Sequence, residues 1–472
     1  MKERVLIFIY LILLCSEMIK CQELKKIHSD SLKYDVEFFF KTIEEVHPNM
    51  YAYSSKQVVD NKKQNLIKAL DHSMSLLDFW KLFCPVVNSL FDGHTGVETF
   101  FNGMYNGTVF SDNFPEYIID VKDQKLFFTK DFHLNGEDMS GLEILSINNY
   151  KSDIVVNKFY SYFPFERKEF KQLFIEIYFH YLTPIIFDSV NSNIFKYVNK
   201  EGETSVVTIE KTDGLKLQND FSKIINLYFS KDYKSAMLTI NTFDILKNDR
   251  NEFVNSINNA FDSIIKLNTN ILFINIAANG GGQSINILPI LNRIVKKKTK
   301  INDGRISIKS SDQIRQNHTK NSFNGENPNF FKILKDKSLR AIYWKKNGKI
   351  TNIYSSIVVC PNNPFNGKVY LIQGRGTFSA SVDLCSIIKH NKFATIIGEE
   401  TGGITAGYID SYVFKLPNSG LNCKCSYKFF REEGGCVDNH GVLPDIYYQL
   451  DFRKKIDFEK LIEFINLYDK IN

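Results

Sequence analysis

Two serines lie in the stretch GRGTFSASVD, residues 374–383, between a strand-like run and a helix-like run. A serine hydroxyl at such a corner can attack a carbonyl carbon, provided that a neighbouring base takes its proton. The alternative is that both hydroxyls only cap and pack a tight turn. The stretch alone does not distinguish Ser379 from Ser381 as the nucleophile.

A base and an acid for such a serine occur in two other stretches. FDGHTGV places His94 between small residues that leave an imidazole accessible, and imidazole transfers protons near neutral pH. CVDNHGVLPD offers Asp438 and Asp445 as acids and His440 as a rival base. A serine, a base and an orienting acid together make the triad of serine hydrolases. His94 alone would more often be a capping or core histidine.

A third stretch, NGGG at residues 279–282, follows a strand-like run and precedes a helix-like run. Glycines let the backbone turn sharply, and N–H groups at a helix start stabilise an oxyanion or bind a phosphate. The stretch lacks the lysine of a phosphate-binding loop and the spaced glycines of a dinucleotide site. We therefore expect no cofactor.

The elements that must position these residues change character along the chain. Residues 30–91 read as amphipathic helices, and residues 110–212 read as short strands between turns. From residue 225 onward strand and helix signals alternate, with the near-continuous apolar strands NILFINIA and KVYLIQG. This alternation predicts an α/β layer with its functional residues at the strand ends. Residues 303–360 are polar and predict a surface insertion.

Composition and charge narrow the function classes. The chain has 472 residues, 43% of them hydrophobic, and a net charge of +6. The short basic clusters 296–298 and 345–346 lack interleaved aromatic residues, so we expect solvated faces and no nucleic-acid partner. No CxxC pair with matching histidines occurs, so we expect no metal site. Neither the substrate nor the oligomeric state follows from composition.

The N-terminus predicts export. A basic start, ten apolar residues at 5–14 and a polar flank form the pattern of a signal peptide cleaved near residues 21–23. The apolar run is too short to span a bilayer, so we expect no membrane contact after cleavage. Export permits disulfides among the six cysteines from Cys84 onward, in pairings that the sequence does not give. Two acceptor sequons, at residues 106–108 and 317–319, are typical of a secreted glycoprotein.

Six motifs in order give the sequence a family resemblance. HPNMY, DGHTG, NGGG, TFSAS, IIGEETGG and GVLPD follow one another as in the tail-specific, or C-terminal processing, serine proteases. The chain most resembles the lysine-independent branch, which includes the tricorn core protease and the chlamydial protease-like activity factor. The similarity covers nearly the whole chain. Each motif alone is loose, but six in this order are specific.

The resemblance implies a fold and a division of the chain. The fold is α/β, with a ClpP/crotonase-like protease core, an N-terminal helical region and a PDZ-like β-rich module. The expected parts are a signal peptide at 1–22, a helical region carrying the histidine motif at 23–105, the PDZ-like module at 106–222, and the protease core at 223–472 with the insertion near 303–360.

The resemblance also implies roles for site residues. Ser379 takes the position of the nucleophile, His94 that of the base and Asp438 that of the acid. The oxyanion donors would be the backbone N–H groups of Gly281 or its neighbour Gly282 and of Ala380. The chain would then be a secreted serine endopeptidase that acts on a protein or peptide.

Three departures from the family pattern bear on this reading. Ile404 stands where the lysine-dependent branch has its base, which disfavours a serine–lysine dyad. Asn275 and Ala277 replace the usual residues before the glycines, and Asp438 is one methylene shorter than the usual glutamate. One alternative is therefore an inactive relative that binds a hydrophobic ligand or a peptide, since the family includes a retinoid-binding member without protease activity. Another is a peptide-docking adaptor that works through the module at 110–212.

Overall fold

The computed structural model describes residues 26–98, 116–187, 193–215, 222–433, 435 and 439–471. The predicted leader, the sequon at 106–108 and Asp438 lie outside the described residues. In chain order the α-helices are α1 Ser29–Val46, α2 Lys56–Ala69, α3 Leu76–Asn88, α4 Ser152–Tyr160, α5 Lys168–Ile186, α6 Arg250–Lys266, α7 Leu288–Ile294, α8 Asp312–Ser322, α9 Phe330–Lys335, α10 Lys337–Tyr343, α11 Ala380–Asn391 and α12 Phe458–Ile471.

The strands form three larger sheets and one small one in the described ranges. They are β1 Gly96–Val97, β2 Ile119–Lys122, β3 Lys125–Phe128, β4 His133–Leu134, β5 Glu137–Asp138, β6 Glu143–Ile147, β7 Tyr150–Lys151, β8 Ile194–Val198, β9 Thr204–Thr208, β10 Ile225–Phe229, β11 Ser235–Ile240, β12 Ile271–Asn275, β13 Thr299–Lys309, β14 Ile350–Val359, β15 Lys368–Gln373, β16 Thr395–Gly398, β17 Ala406–Lys415, β18 Asn422–Glu432 and β19 Ile446–Tyr447. Short 3₁₀ turns occupy Lys211–Asp213 and Ser284–Ile287.

A six-stranded sheet in the order β10-β11-β12-β15-β16-β19 forms the core of the C-terminal half. Its first pair is antiparallel and the following pairs are parallel. Helices α6, α7 and α11 cover one face, and α12 covers the other. The neighbours Phe273 and Ile274 point to opposite faces, and both are fully buried. Burial on both faces explains why these strands read as continuous apolar runs.

An antiparallel sheet joins the N-terminal region to the C-terminal half. Its order is β1-β18-β13-β14, and β17 pairs along the opposite edge of β18, from Asn422 to Arg431. The pairs Gly96–Lys424 and Val97–Cys423 bring the segment that follows His94 onto β18. The N-terminal helices pack on this sheet, so the histidine motif is fixed against residues more than 300 positions away.

The segment 303–360, expected to be a polar surface insertion, carries regular structure. It contains most of β13, all of β14 and helices α8, α9 and α10. The two strands pair with each other, and Ile308 and Ile353 are buried in the N-terminal core. The polar side chains of these strands alternate with inward apolar ones, which is the pattern of a half-buried antiparallel pair.

Residues 116–215 form a five-stranded sheet in the order β2-β3-β6-β8-β9, with β7 at one side and α4 and α5 packed on it. Helix α5 extends to the C-terminal half, where the ring of Phe170 stacks on that of Phe378 at 4.8 Å. The expected α/β class and the expected N-terminal helical region are confirmed.

The described residues contain no membrane-spanning helix, no disulfide and no cluster of metal ligands. No helix in the described ranges is long and apolar enough to cross a membrane. The described cysteines, from Cys84 to Cys425, are unbridged, while Cys436 lies outside, so disulfide formation stays a prediction. Within the same ranges, no group of three His, Cys, Asp or Glu side chains could hold a metal ion.

Candidate active site

Ser379 lies at the corner between β15 and α11, where it precedes the first residue of the helix. Its backbone has φ 53° and ψ −126°. A positive φ brings the Cβ of a non-glycine residue against its own backbone, which costs on the order of 1–3 kcal/mol and persists only where surrounding structure imposes it. A strained serine at a strand-to-helix turn is typical of an exposed nucleophile.

Thr377 fixes this corner from below. Its side chain is fully buried, and its hydroxyl donates to the carbonyl oxygen of Ile276 at 3.0 Å. The same hydroxyl accepts from the N–H of Gly374 at 3.0 Å, and the N–H of Gly403 donates to the Thr377 carbonyl at 3.0 Å. These bonds tie the turn to β12 and to the IIGEETGG loop, which supports the strained backbone of Ser379.

The imidazole of His94 contacts the Ser379 hydroxyl. The distance from Nε2 of His94 to Oγ of Ser379 is 3.3 Å. The Phe378 ring stacks on the imidazole at 5.1 Å with an interplanar angle of 20°. A hydrogen-bonded nucleophile and base is the minimum requirement for a serine hydrolase.

Asp92 fixes the loop that carries His94. Its Oδ1 accepts from the backbone N–H of His94 at 2.9 Å, and its Oδ2 accepts from the Thr95 hydroxyl at 2.5 Å. The Nε2 of His47 lies 3.0 Å from the same Oδ2. Because the N–H of Asn49 donates to Nδ1 of His47, the proton of a neutral His47 sits on Nε2 and points at Asp92. Burial favours the protonated acid, but the hydrogen bond from His47 and the electrostatic attraction of its N–H outweigh burial and lower the pKa of Asp92 to about 2.

Glu166 holds the same loop from the other side. Its Oε1 accepts from the N–H of Gly93 at 3.0 Å. Burial, followed by repulsion from Asp92, raises the pKa of Glu166 to about 8. The carboxyl is therefore neutral at mildly acidic pH, while Asp92 keeps its charge.

The electrostatics of His94 favour the neutral base. Burial lowers the pKa of His94, and the nearby cation Lys424 lowers it further, against the attraction of Asp92. The ammonium of Lys424 donates to the Gly93 carbonyl at 3.2 Å, so the cation is tied to the histidine loop. A base that accepts the serine proton must be unprotonated, and this environment keeps it so below its ordinary pKa.

Two further groups on β17 act on the imidazole of His94. Against the burial that lowers the pKa of His94, the Asp410 carboxylate and the Tyr408 backbone raise it. Asp410 has φ 54°, and Lys428 donates to its Oδ2. Burial raises the pKa of Asp410, but Lys428 and His94 lower it below its usual range. A charged carboxylate thus lies near His94 among the described residues.

The glycine loop packs directly on the nucleophile. A Cβ added to Gly281, at φ 96°, would lie 2.7 Å from Cβ of Ser379 and 2.6 Å from the Phe378 carbonyl oxygen. The N–H of Gly281 donates to Oδ1 of Asn279 at 2.9 Å, and the Phe378 N–H donates to the Asn279 carbonyl at 3.1 Å. The predicted donor Gly281 is therefore adjacent to the serine but already hydrogen-bonded.

The two other expected donors differ in position. Ala380 is the first residue of α11, where a backbone N–H has no partner within its own helix. Gly282, at φ 137°, packs against the backbone of Phe243, 2.1 Å from where its Cβ would be. Ala380 is thus the donor best placed beside Ser379.

Asp438, the expected acid, lies outside the described residues, but its flanks are described. The N–H of Glu432 donates to the Thr405 carbonyl at 3.0 Å, and the N–H of Thr405 donates to the His440 carbonyl at 3.1 Å. Both flanks therefore hydrogen-bond to Thr405. This residue is two positions beyond Gly403, whose N–H donates to Thr377 beside the nucleophile.

The rivals of the expected triad lie elsewhere. The Asp445 carboxylate contacts Lys389 and accepts from the Ile396 N–H at 2.8 Å, so it ties the chain to β16. His440 is exposed, 3.7 Å from a carboxylate oxygen of Glu400. The Ser381 hydroxyl is fully buried and has no hydrogen-bond partner among the described residues.

Sequence reasoning named the stretches HPNMY and IIGEETGG without giving their side chains a task. His47 of the first stretch supports Asp92, as described above. Glu400 of the second stretch pairs with the buried Arg167 and accepts from the N–H of Gly441 at 2.7 Å. This pairing joins the α5 segment to the loop after Asp438. Each of these contacts spans a long sequence separation, and only the motif order hinted at them.

A cavity of about 540 Å³ lies between α5 and the carboxyl ends of β11 and β12. Its lining includes Phe170 and Phe174 of α5, Met237, Ala277 and Gly280 of the glycine loop. The cavity is therefore mainly apolar and adjoins the loop that packs on Ser379.

Comparison with known proteins identifies the C-terminal half. Residues 234–448 match the family model described as peptidase family S41. The chain carries an S41 peptidase domain. The match supports a serine-type peptidase of the tail-specific family, as the order of the motifs predicted. No protein of curated function matches the sequence.

Solved structures show the same fold over most of the chain. The structure of mature CPAF complexed with lactacystin aligns with a TM-score of 0.60 at 15% identity, covering 94% of this chain and 98% of that chain. A second structure of mature CPAF gives 0.55 at 15% identity, covering 89% and 92%. The photosystem II D1 C-terminal processing protease aligns only loosely, with a TM-score of 0.44 at 13% identity over 91% of this chain and 95% of that chain. At these identities the likeness concerns the fold alone.

Proposed function

We propose that this S41 chain is a secreted endopeptidase in which Ser379, His94 and Asp438 form the catalytic triad. The observation that carries the proposal is the strained Ser379, whose Oγ lies 3.3 Å from Nε2 of His94. Two groups from opposite ends of the chain meet in the geometry that a nucleophile and its base require.

The reaction follows from these positions. Ser379 Oγ attacks the carbonyl carbon of the peptide bond while its proton passes to His94 Nε2. When the tetrahedral intermediate collapses, the C–N bond breaks and the leaving amine takes that proton. Water then attacks the acyl-enzyme with His94 again as base, and the acid product leaves Ser379 free.

The oxyanion of the intermediate needs N–H donors beside Ser379. The Ala380 N–H at the start of α11 supplies one donor, strengthened by the helix dipole. The N–H of Gly281 can supply a second only after it leaves Oδ1 of Asn279. We propose that substrate binding displaces this internal bond, which costs little because one hydrogen bond replaces another.

We assign the role of the base to His94 and not to a lysine, and the role of the acid to Asp438. Ile404 stands where a lysine base would be, so His94 is the base that remains near Ser379. The hydrogen bonds that Thr405 makes to Glu432 and His440, the described flanks of Asp438, support this assignment. Asp410 is the rival acid, because its charge already acts on His94.

The large apolar cavity supports a second candidate, a binder of hydrophobic ligands that has lost catalysis. Its volume of about 540 Å³ lies within the usual range of small-molecule sites. In the peptidase reading the same cavity accommodates apolar side chains of the substrate. The two readings differ in whether Ser379 is reactive.

A fluorophosphonate probe, which modifies activated serines, separates the two candidates. We expect wild-type protein to be labelled at Ser379 and to cleave unfolded protein substrates. Ser379→Ala and His94→Ala should lose both properties, whereas the control Ser381→Ala should keep both because that hydroxyl is buried and unpartnered. Absence of labelling in a folded wild-type protein would favour the binder.

Export and glycosylation complete the proposal. Residues 1–22 would direct the chain into the secretory pathway, and Asn317 lies in an acceptor sequon on α8. Expression in a secreting eukaryotic host, followed by N-terminal sequencing and glycosidase treatment, tests both points. Retention of an uncleaved chain inside the cells would contradict export.

A further inference from the structure

Four apolar side chains on the α9–α10 segment lie exposed together. Their exposed fractions are 61% for Phe330, 71% for Phe331, 46% for Leu334 and 43% for Trp344. The Phe330 ring lies 5.5 Å from that of Trp344 and 5.8 Å from that of Phe331. We call these four residues the aromatic patch. A cluster of large apolar side chains at the surface indicates an interaction site.

The spacing of the patch residues on α9 explains why they are exposed. Phe330, Phe331 and Leu334 are spaced for one face of α9, while Ile333 points inward and is 8% exposed. Trp344 follows α10 as its C-cap, and Ile342 of that helix is fully buried in the core. The segment is therefore anchored by its inner face, and its outer face is exposed within the part of the chain that the structure describes.

The segment that carries the aromatic patch is rich in basic residues. Residues 329–349 contain seven basic side chains and a single acidic one, Asp336, so the segment carries a charge of +6, as large as that of the whole chain. The basic residues are Lys332, Lys335, Lys337, Arg340, Lys345, Lys346 and Lys349. Asp336 is occupied as the N-cap of α10, accepting from two backbone N–H groups. In the described part of the chain none of the seven forms an ion pair with a carboxylate, and all the lysines are exposed.

We propose that the aromatic patch and its lysines bind an anionic membrane surface. Phenylalanine, tryptophan and leucine insert at the boundary between headgroups and acyl chains, while lysines around them attract anionic headgroups. Leu334 has no stacking surface for a base, so this combination favours lipid over nucleic acid. The site would hold the protein on the membrane without spanning it. This inference revises the expectation of no membrane contact after cleavage and does not depend on the proposed triad.

The tryptophan content of the chain provides a direct reporter. The chain has two tryptophans, of which Trp80 is fully buried and Trp344 is exposed. Secreted protein with a sequenced N-terminus is mixed with vesicles of two kinds. One kind is phosphatidylcholine alone, and the other contains about 30% phosphatidylserine as the anionic lipid. We expect a blue shift of the emission and sedimentation with the anionic vesicles only, both weakened at high salt.

Matched variants assign the binding to the patch. Phe331→Ser with Leu334→Ser, and separately Lys345→Glu with Lys346→Glu, should each lower the vesicle affinity about tenfold or more. Trp344→Phe should still bind but lose the fluorescence shift. Two control variants change exposed residues elsewhere and should bind like wild type. One combines Lys297→Glu with Lys298→Glu, and the other is Tyr447→Ser.

Four results would overturn the proposal. The first is that the protein does not bind anionic vesicles at low salt, and the second is that the Phe331/Leu334 variant binds them as well as wild type does. The third is a concentration-dependent dimerisation that the same variants abolish, and the fourth is tighter binding to single-stranded RNA than to vesicles. The inactive Ser379→Ala protein should bind vesicles like wild type, so failure of membrane binding and failure of the peptidase proposal are distinguishable.

Discussion

Nε2 of His94 lies 3.3 Å from Oγ of Ser379, although 285 residues separate the two in the chain. Sheet pairing positions the histidine, because β1 follows it directly and pairs with β18. The central sheet positions the serine, because it ends the turn after β15. The contact therefore depends on how the two sheets are held together, and the predictions below probe that arrangement.

The identity of the acid can be decided by substitutions at two residues. If Asp438 orients His94, Asp438→Asn should lower kcat by about 10³–10⁴-fold, and Asp438→Glu should retain most activity. Asp410→Asn should cost less than about tenfold, because that carboxylate only adds to the field around His94. Steady-state cleavage of a peptide substrate, normalised to the fraction labelled by fluorophosphonate, measures both. The reverse order of effects would assign the acid to Asp410.

Lys424 should set the acidic limit of activity. Its charge lowers the pKa of His94, so Lys424→Met should raise that pKa. Activity needs neutral His94 and is lost as pH falls through its pKa, so the acid limb of kcat/KM should move to higher pH. Pre-steady-state rates between pH 4 and pH 8 (roughly the range in which histidine titrates) measure the limb. An unchanged limb in a folded variant would show that Lys424 does not act on His94.

The glycine loop offers a matched pair of substitutions. Gly281→Ala should abolish activity, because its Cβ would enter the space of Ser379 and the residue has φ 96°. Gly280→Ala should be tolerated, because nothing lies within 4 Å of its added Cβ. Labelling rates and thermal unfolding of both variants separate a blocked site from a misfolded one. Equal activity in the two variants would contradict the packing described for the loop.

Glu166 should make stability depend on pH. Its pKa of about 8 in the folded state lies above its unfolded value, so the folded state binds the extra proton between the two. Wild-type stability should therefore fall as pH rises from about 5 to about 8. Glu166→Gln keeps an oxygen for the Gly93 N–H and should remove this decline. The melting temperatures of both proteins are measured across that pH range. If they change with pH in the same way, Glu166 does not cause the decline.

The sequence by itself determined the fold class and the residues most suited to chemistry. Apolar runs bounded by glycine marked β12 and β15 because both faces of a parallel sheet are buried. The order of six motifs singled out Ser379 and His94. These are local signals, carried by neighbouring residues and by chain order.

Only the tertiary structure decided which groups meet. The support of His94 by Asp92 and His47, and the pairing of Arg167 with Glu400, depend on packing between distant segments. The basic pair at 345–346 follows Trp344 directly in the sequence, but only the packing of α9 against α10 places the Phe330 ring beside that tryptophan. Side-chain distances across a fold follow from the packing of whole elements, which short sequence patterns do not encode.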